Sequence, residues 1–126
     1  MFDWYEYLRL ATELAGHPIA PASEEARQRS AISRAYYAAF CKCRNYLQTQ
    51  GYQVSRESLA HTQVRNLFKQ SQDRRLKQVG HHLDRLRSDR NMADYEDYFA
   101  DIGEKTELAL ELANRIFSML SELEQP

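Results

Sequence analysis

Apolar residues recur along this chain three and four positions apart, the spacing of amphipathic helices separated by short polar breaks. Trp4, Tyr7, Leu8, Ala11, Leu14 and Ala15 fall on one face of a first helix over Asp3 to Ala15. Gly16 should end it, and Pro18 and Pro21 should keep the next stretch extended. Ser23 is the expected N-cap of a long second helix, with Glu24 and Glu25 at the positive end of its dipole. That helix should run to about Gln50 on a stripe of Ile32, Ala35, Tyr36, Ala39, Phe40, Cys43, Tyr46 and Leu47, and Gly51 should close it. The small residues Ala31, Ala35, Ala38 and Ala39 should let neighbouring helices approach closely.

Ser55 or Ser58 should cap a third helix whose inner face is Ala60, Val64, Leu67, Phe68 and Ser71. Asp73 should cap a fourth, with the stripe Leu76, Val79, Leu83 and Leu86, and Asn91 to Tyr98 reads as a turn or frayed end. The last helix should span about Asp101 to Leu123. Its Ile102, Thr106, Ala109, Ala113, Ile116, Leu120 and Leu123 form a heptad seam that serves either the bundle or a partner helix. The expected fold is all-α: a four- to five-helix bundle, up-down, with a long second helix and a long last helix. Ala-rich faces together with this seam exceed what one small bundle must bury, so a dimer is expected.

The stripe of the fourth helix leads to the candidate chemistry. The next place after Leu86 is Arg90, and Asp94 follows one turn later on the same face. A charge on a core-facing stripe is costly unless it is paired or opens into a cleft. Two readings follow: a salt bridge closing the bundle, or an arginine that binds phosphate and is held by Asp94. Arg87 adds a second cation one turn earlier. Ser33, Arg34 and Tyr37 lie beside the inner stripe of the second helix, where the Ser33 and Tyr37 hydroxyls are one turn apart. Either these hydroxyls meet the same groove, or Tyr36 and Tyr37 are core aromatics with wet hydroxyls. His61 and His82 lie next to inner stripes, the usual place of a partly buried, satisfied imidazole, and His81 points away.

Composition narrows the picture. A chain of 126 residues fits one domain, 1–126. Scarce Gly and Pro support the all-α reading. Cys41 and Cys43 are two apart on a helix, so they point apart and cannot bridge; reduced thiols are expected. No zinc spacing, metalloprotease helix, Gly-rich phosphate loop or nucleophile elbow is present, so no metal or cofactor is expected. The start, M-F-D-W-Y-E-Y-L, has no basic region followed by an apolar run, and no apolar run approaches ~20 residues, so a cytoplasmic protein without a membrane segment is expected.

The net charge of −1 hides a strong asymmetry. Residues 1–25 carry −4, residues 26–90 carry +10, and residues 91–126 carry −7. Either the middle helices form a nucleic-acid face, or they pack against the acidic first and last helices.

Two stretches resemble the HEPN superfamily of small helical bundles. R-S-A-I-S-R-A-Y-Y-A-A-F, residues 29–40, is similar to the S-R-A-Y-Y-A-x-F signature of a long HEPN helix. L-D-R-L-R-S-D-R-N-M-A-D-Y, residues 83–95, is similar to the L-x-x-L-R-x-x-R-N-x-A-D-Y that precedes the last HEPN helix. Helix order and spacing extend the resemblance from Ser23 to Leu123.

The resemblance implies a HEPN-like homodimer. Many members cleave RNA without a metal, through an Arg and a following His from each of two protomers that line one cleft. Such proteins are often toxins or defence components, some beside an MNT-type nucleotidyltransferase; others bind RNA or nucleotides without cutting. Arg90 and Asn91 match the start of the family motif, but Asp94 and Tyr95 stand where its His and Tyr would be. Arg56 with His61, and Arg75 with His81, have the bare spacing but lie too early in the chain. The implied cleft holds Arg90, Asp94 and Tyr95 as candidate catalytic residues, with Arg87, Asn91, Ser33, Arg34 and Tyr37 binding. The expected function is RNA or nucleotide binding in a toxin–antitoxin or defence module, with weak or absent cleavage. The alternative is a non-catalytic interaction module that partners a nucleotidyltransferase or another protein.

Overall fold

The computed structural model describes residues 2–16 and 23–124; Pro18 and Pro21 lie outside them. Five helices and no strand occur among the described residues: α1 (Tyr5–Gly16), α2 (Glu24–Thr49), α3 (Ala60–Lys69), α4 (Arg74–Tyr95) and α5 (Ile102–Glu124). The all-α bundle with long second and last helices is as the apolar spacing predicts.

α2 is the hub, the one helix packed against all four others among the described residues. Its small residues explain why. Ala31, Ala35, Ala38 and Ala39 are fully buried, and their short side chains leave room for helices on several sides. Ile32, Leu83, Leu86, Ile116 and Leu120 fill the space between, each fully buried and each contributing roughly 1.5–3 kcal/mol. The heptad seam of α5 lies in this core, with Thr106, Ala109, Ala113, Ile116 and Leu120 buried, and Leu112 and Phe117 beside them. The seam and the alanines are therefore consumed inside one bundle, which removes them as grounds for a dimer. Cys41 and Cys43 are buried free thiols, and burial pushes both upward in pKa. No helix among the described residues is long and apolar enough to cross a membrane.

Capping follows the sequence at two of three predicted starts. The Ser23 hydroxyl accepts from the Ala26 N–H, and the Asp73 carboxylate accepts from the Arg75 N–H at 2.8 Å. α3 differs: its N-cap position is Leu59, with no side-chain cap. Neither Ser55 nor Ser58 caps it, because the preceding loop is held another way. Gln63 accepts from the Ser55 N–H and donates to the Gln53 carbonyl, and Ser55 accepts from the Glu57 N–H.

α4 departs further from expectation. Asn91 to Tyr95 is not a turn or frayed end but the last turns of the helix. The reason is Arg29 on α2, which donates to the carbonyls of Ala93 at 2.9 Å, Glu96 at 2.6 Å and Asp97 at 3.2 Å. A cation on the exposed carbonyls of a helix end satisfies them and complements the dipole. Ala93, buried on the α2 side, holds the same turn from below. Earlier in α4, Gly80 lets α3 come close: a Cβ there would lie 2.9 Å from the Lys69 backbone nitrogen.

Candidate functional site

Ser33, Tyr36, Tyr37 and Phe40 follow one another around the face of α2 that meets α3 and α4. Because α4 stays helical to Tyr95, Asp94 stands one turn beyond Arg90 on the facing surface. The Arg90 Nε lies 2.8 Å from Asp94 Oδ2 as an ion pair, though without the alignment of a hydrogen bond. Arg90 Nη2 donates to the Tyr37 hydroxyl at 2.7 Å, and Nη1 donates to Asn91 Oδ1 at 3.2 Å. The Ser33 hydroxyl donates to Asp94 Oδ2 at 3.3 Å. Arg90 Cζ lies 5.0, 5.5 and 6.0 Å from the ring centres of Tyr37, Tyr95 and Tyr36, within cation–π range. Its side chain is only 16% exposed. The pair closes the α2–α4 contact, and Asp94 and Tyr95 beside it are exposed.

The structure brings together Ser33, Tyr37, Arg90, Asn91, Asp94 and Tyr95. Arg87 is half-buried one turn away, makes no hydrogen bond or ion pair among the described residues, and acts on Tyr36 and His61 through its charge. Arg34 is not joined to this cluster by a contact. Its guanidinium lies 5.4 Å over the Tyr7 ring of α1 instead.

His61 is the residue that sequence spacing did not place here. Its Nδ1 is hydrogen-bonded to the Tyr36 hydroxyl at 2.5 Å, and its ring stacks on Phe40 at 4.1 Å. Burial first, then the charges of Arg87, Arg90 and Arg65, hold its pKa below the usual 6.5, so the imidazole is neutral at neutral pH. Burial outweighs the same arginines at Tyr36 and pushes its phenol upward, so that hydroxyl keeps its proton. Nothing in the local sequence of α3 pairs His61 with Tyr36. Arg29 opens the 29–40 stretch and lies one turn before Ser33 on the same side of α2, but no local spacing assigns it a role at the end of α4. His81 is exposed, and His82 is half-buried with a buried Nε2 that has no hydrogen-bond partner among the described residues. Among the described residues, no three His, Cys, Asp or Glu side chains form a group that could hold a metal ion.

The chain is thus an all-helical bundle that holds an arginine between tyrosines near the end of its fourth helix. The chain belongs to the HEPN domain family, whose model matches residues 21–123. The match spans α2 to α5 and contains every residue of the Arg90 cluster. No match is found among curated proteins or among solved structures.

Proposed function

We propose that this HEPN-family bundle is an RNA-directed protein of a toxin–antitoxin or defence module. In this reading it works as a symmetric homodimer, and RNA or nucleotide lies in a cleft between protomers beside Arg87, Arg90, Asn91 and Tyr95. The observation that carries the reading is how the positive charge is distributed. Arg34, Arg44, Arg56, Arg74, Lys77 and Arg87 make no ion pair among the described residues. Lys42–Glu124, Arg29–Glu25 and Arg90–Asp94 join the basic 26–90 segment to its acidic neighbours. Those six cations keep a charge that pairing does not neutralise, which supports a surface that attracts phosphates.

Arg90 is occupied by Asp94, Tyr37 and Asn91, so it shapes the site while Arg87 supplies the freer cation. Cleavage is expected to be weak or absent, because Asp94 occupies the place of the family histidine. Beside the cluster, Met92, Tyr95 and Tyr98 are exposed, the tyrosines by 72% and 82%. Under this reading they are the contact between protomers.

The same exposed residues favour a second reading, an interaction module whose partner is a nucleotidyltransferase or another protein. A gel-shift series with single-stranded RNA separates the two. The first predicts binding at low salt that weakens at least ~10-fold between ~50 and ~200 mM, as neutralised phosphates release counterions. Flat absence of binding at the lowest salt overturns it and leaves the interaction module. A chelator-treated cleavage assay run alongside should show little product, and none that depends on Mg²⁺.

A further inference from the structure

His61 also lines a cavity of about 420 Å³ that the Arg90 cluster does not use. It lies between α2, the loop entering α3 and the aromatic residues ahead of α1, and its size falls in the ~300–1,000 Å³ range of small-molecule sites. Its walls are of two kinds. Trp4 and the half-buried His61 provide aromatic surface, and the buried Phe40 backs the imidazole, stacked on it at an interplanar angle of 16°. Arg44 and Arg56 provide cations, and Glu57 a single carboxylate.

The two arginines differ in how they are held. Arg44 donates through Nε and Nη2 to Asn45 Oδ1, both at 3.1 Å, and its Cζ lies 5.7 Å over the Trp4 ring. That fixes the plane of the guanidinium and leaves Nη1 for another acceptor. Arg56 is exposed and makes no hydrogen bond among the described residues. Among the described residues neither pairs with a carboxylate, so two cations and one acid line the cavity beside the Trp4 and His61 rings. Aromatic faces take bases with little regard to sequence, and a guanidinium matches a phosphate.

We propose that this cavity is a nucleotide subsite, in which the base lies against Trp4 and His61 and the phosphate is held by Arg44 and Arg56. The subsite deepens the RNA-directed reading and rests on it for its connection to a strand. His61 stacks on Phe40 and on Tyr36 and meets the Tyr37 ring edge-on, so it stands between the cavity and the Arg90 cluster. A free mononucleotide has the same chemistry and fits the same walls.

Trp4 is the only tryptophan, so intrinsic fluorescence of the full chain reports on this cavity. Adenosine 5′-monophosphate should quench it saturably with Kd of about 1 mM or tighter. Adenosine and inorganic phosphate alone should each bind roughly tenfold more weakly, and Arg44→Gln or Arg56→Gln should weaken the nucleotide by about the same factor. Circular dichroism checks that each variant is folded. Should Arg44→Gln fail to fold, Arg56→Gln, on an exposed loop, carries the test.

No saturable response to the nucleotide or to a single-stranded oligoribonucleotide overturns the subsite. So does a response that inorganic phosphate reproduces in full, or one that neither arginine variant changes. RNA binding in the gel shift with Trp4 silent overturns the subsite and leaves the proposed function standing. An arginine-dependent nucleotide response without RNA binding upholds the subsite as a mononucleotide site and overturns the RNA reading.

Discussion

The Arg90 guanidinium donates to the Tyr37 hydroxyl at 2.7 Å, joining two stretches that lie 53 residues apart in the chain. One bond thus links the S-R-A-Y-Y segment of α2 to the R-N-M-A-D-Y segment of α4. Removing Arg90 leaves the Tyr37 hydroxyl without its partner and leaves Asp94, at the exposed edge of the seam, with the Ser33 hydroxyl alone. Arg90→Ala should destabilise the fold by about 2–4 kcal/mol in urea unfolding, and Tyr37→Phe by about 1 kcal/mol. A double-mutant cycle should show the two losses to be coupled. Unchanged RNA affinity in a folded Arg90→Lys variant would show that the pair is structural only.

Arg29 should control the end of α4. Arg29→Ala strips hydrogen bonds from the carbonyls of Ala93, Glu96 and Asp97. Hydrogen exchange should then quicken over residues 92–97 while the α2 centre stays protected. Global stability should fall by about 1–3 kcal/mol. Unchanged exchange over that turn would refute the capping role.

Gly80→Ala tests close approach against helix propensity. Alanine is favoured in a helix interior by about 1 kcal/mol. Here its Cβ would meet the Lys69 backbone, so overpacking of about 1–3 kcal/mol should win and the melting temperature should drop. A rise in melting temperature would mean that α3 moves aside freely.

Stability should fall on acidification in two windows. His61 is lowered from 6.5 by burial and then by Arg87, Arg90 and Arg65, and burial lowers His82 likewise. The unfolded chain therefore binds protons first: the stabilisation is complete above pH 6.5 and is lost as pH falls through the folded values. At Asp84 burial raises the pKa, but hydrogen bonds from Lys69 and Arg65 prevail and hold it below 3.8. Its contribution is present above pH 3.8 and is lost as pH falls through the folded value. An NMR titration should place His61 below 6.5 and move it upward in Arg87→Gln. Asp84→Asn should remove its share of the lower window.

Tyr95 should mark the contact between protomers. Light scattering at micromolar concentration should give a dimer for the native chain and a monomer for Tyr95→Glu, with helical content unchanged. A monomeric native chain would remove the shared cleft.

The sequence by itself determined the five helices, their caps at Ser23 and Asp73, and the alanine faces that make α2 the hub. These depend on spacing within single helices, where a period of 3.6 residues decides which side chains share a face. It also placed Arg90, Asp94, Ser33 and Tyr37 near one site, because two family motifs on separate helices pointed there together. Only the tertiary structure could decide that Asn91–Tyr95 stays helical, since its carbonyls are capped by Arg29 from another helix. Only packing could bring His61 onto Tyr36 and Phe40, send Arg34 to the Tyr7 ring, and bury the α5 seam within the bundle. Each of these is set by which helix lies across from which, and contacts between distant segments leave no periodic trace in either one.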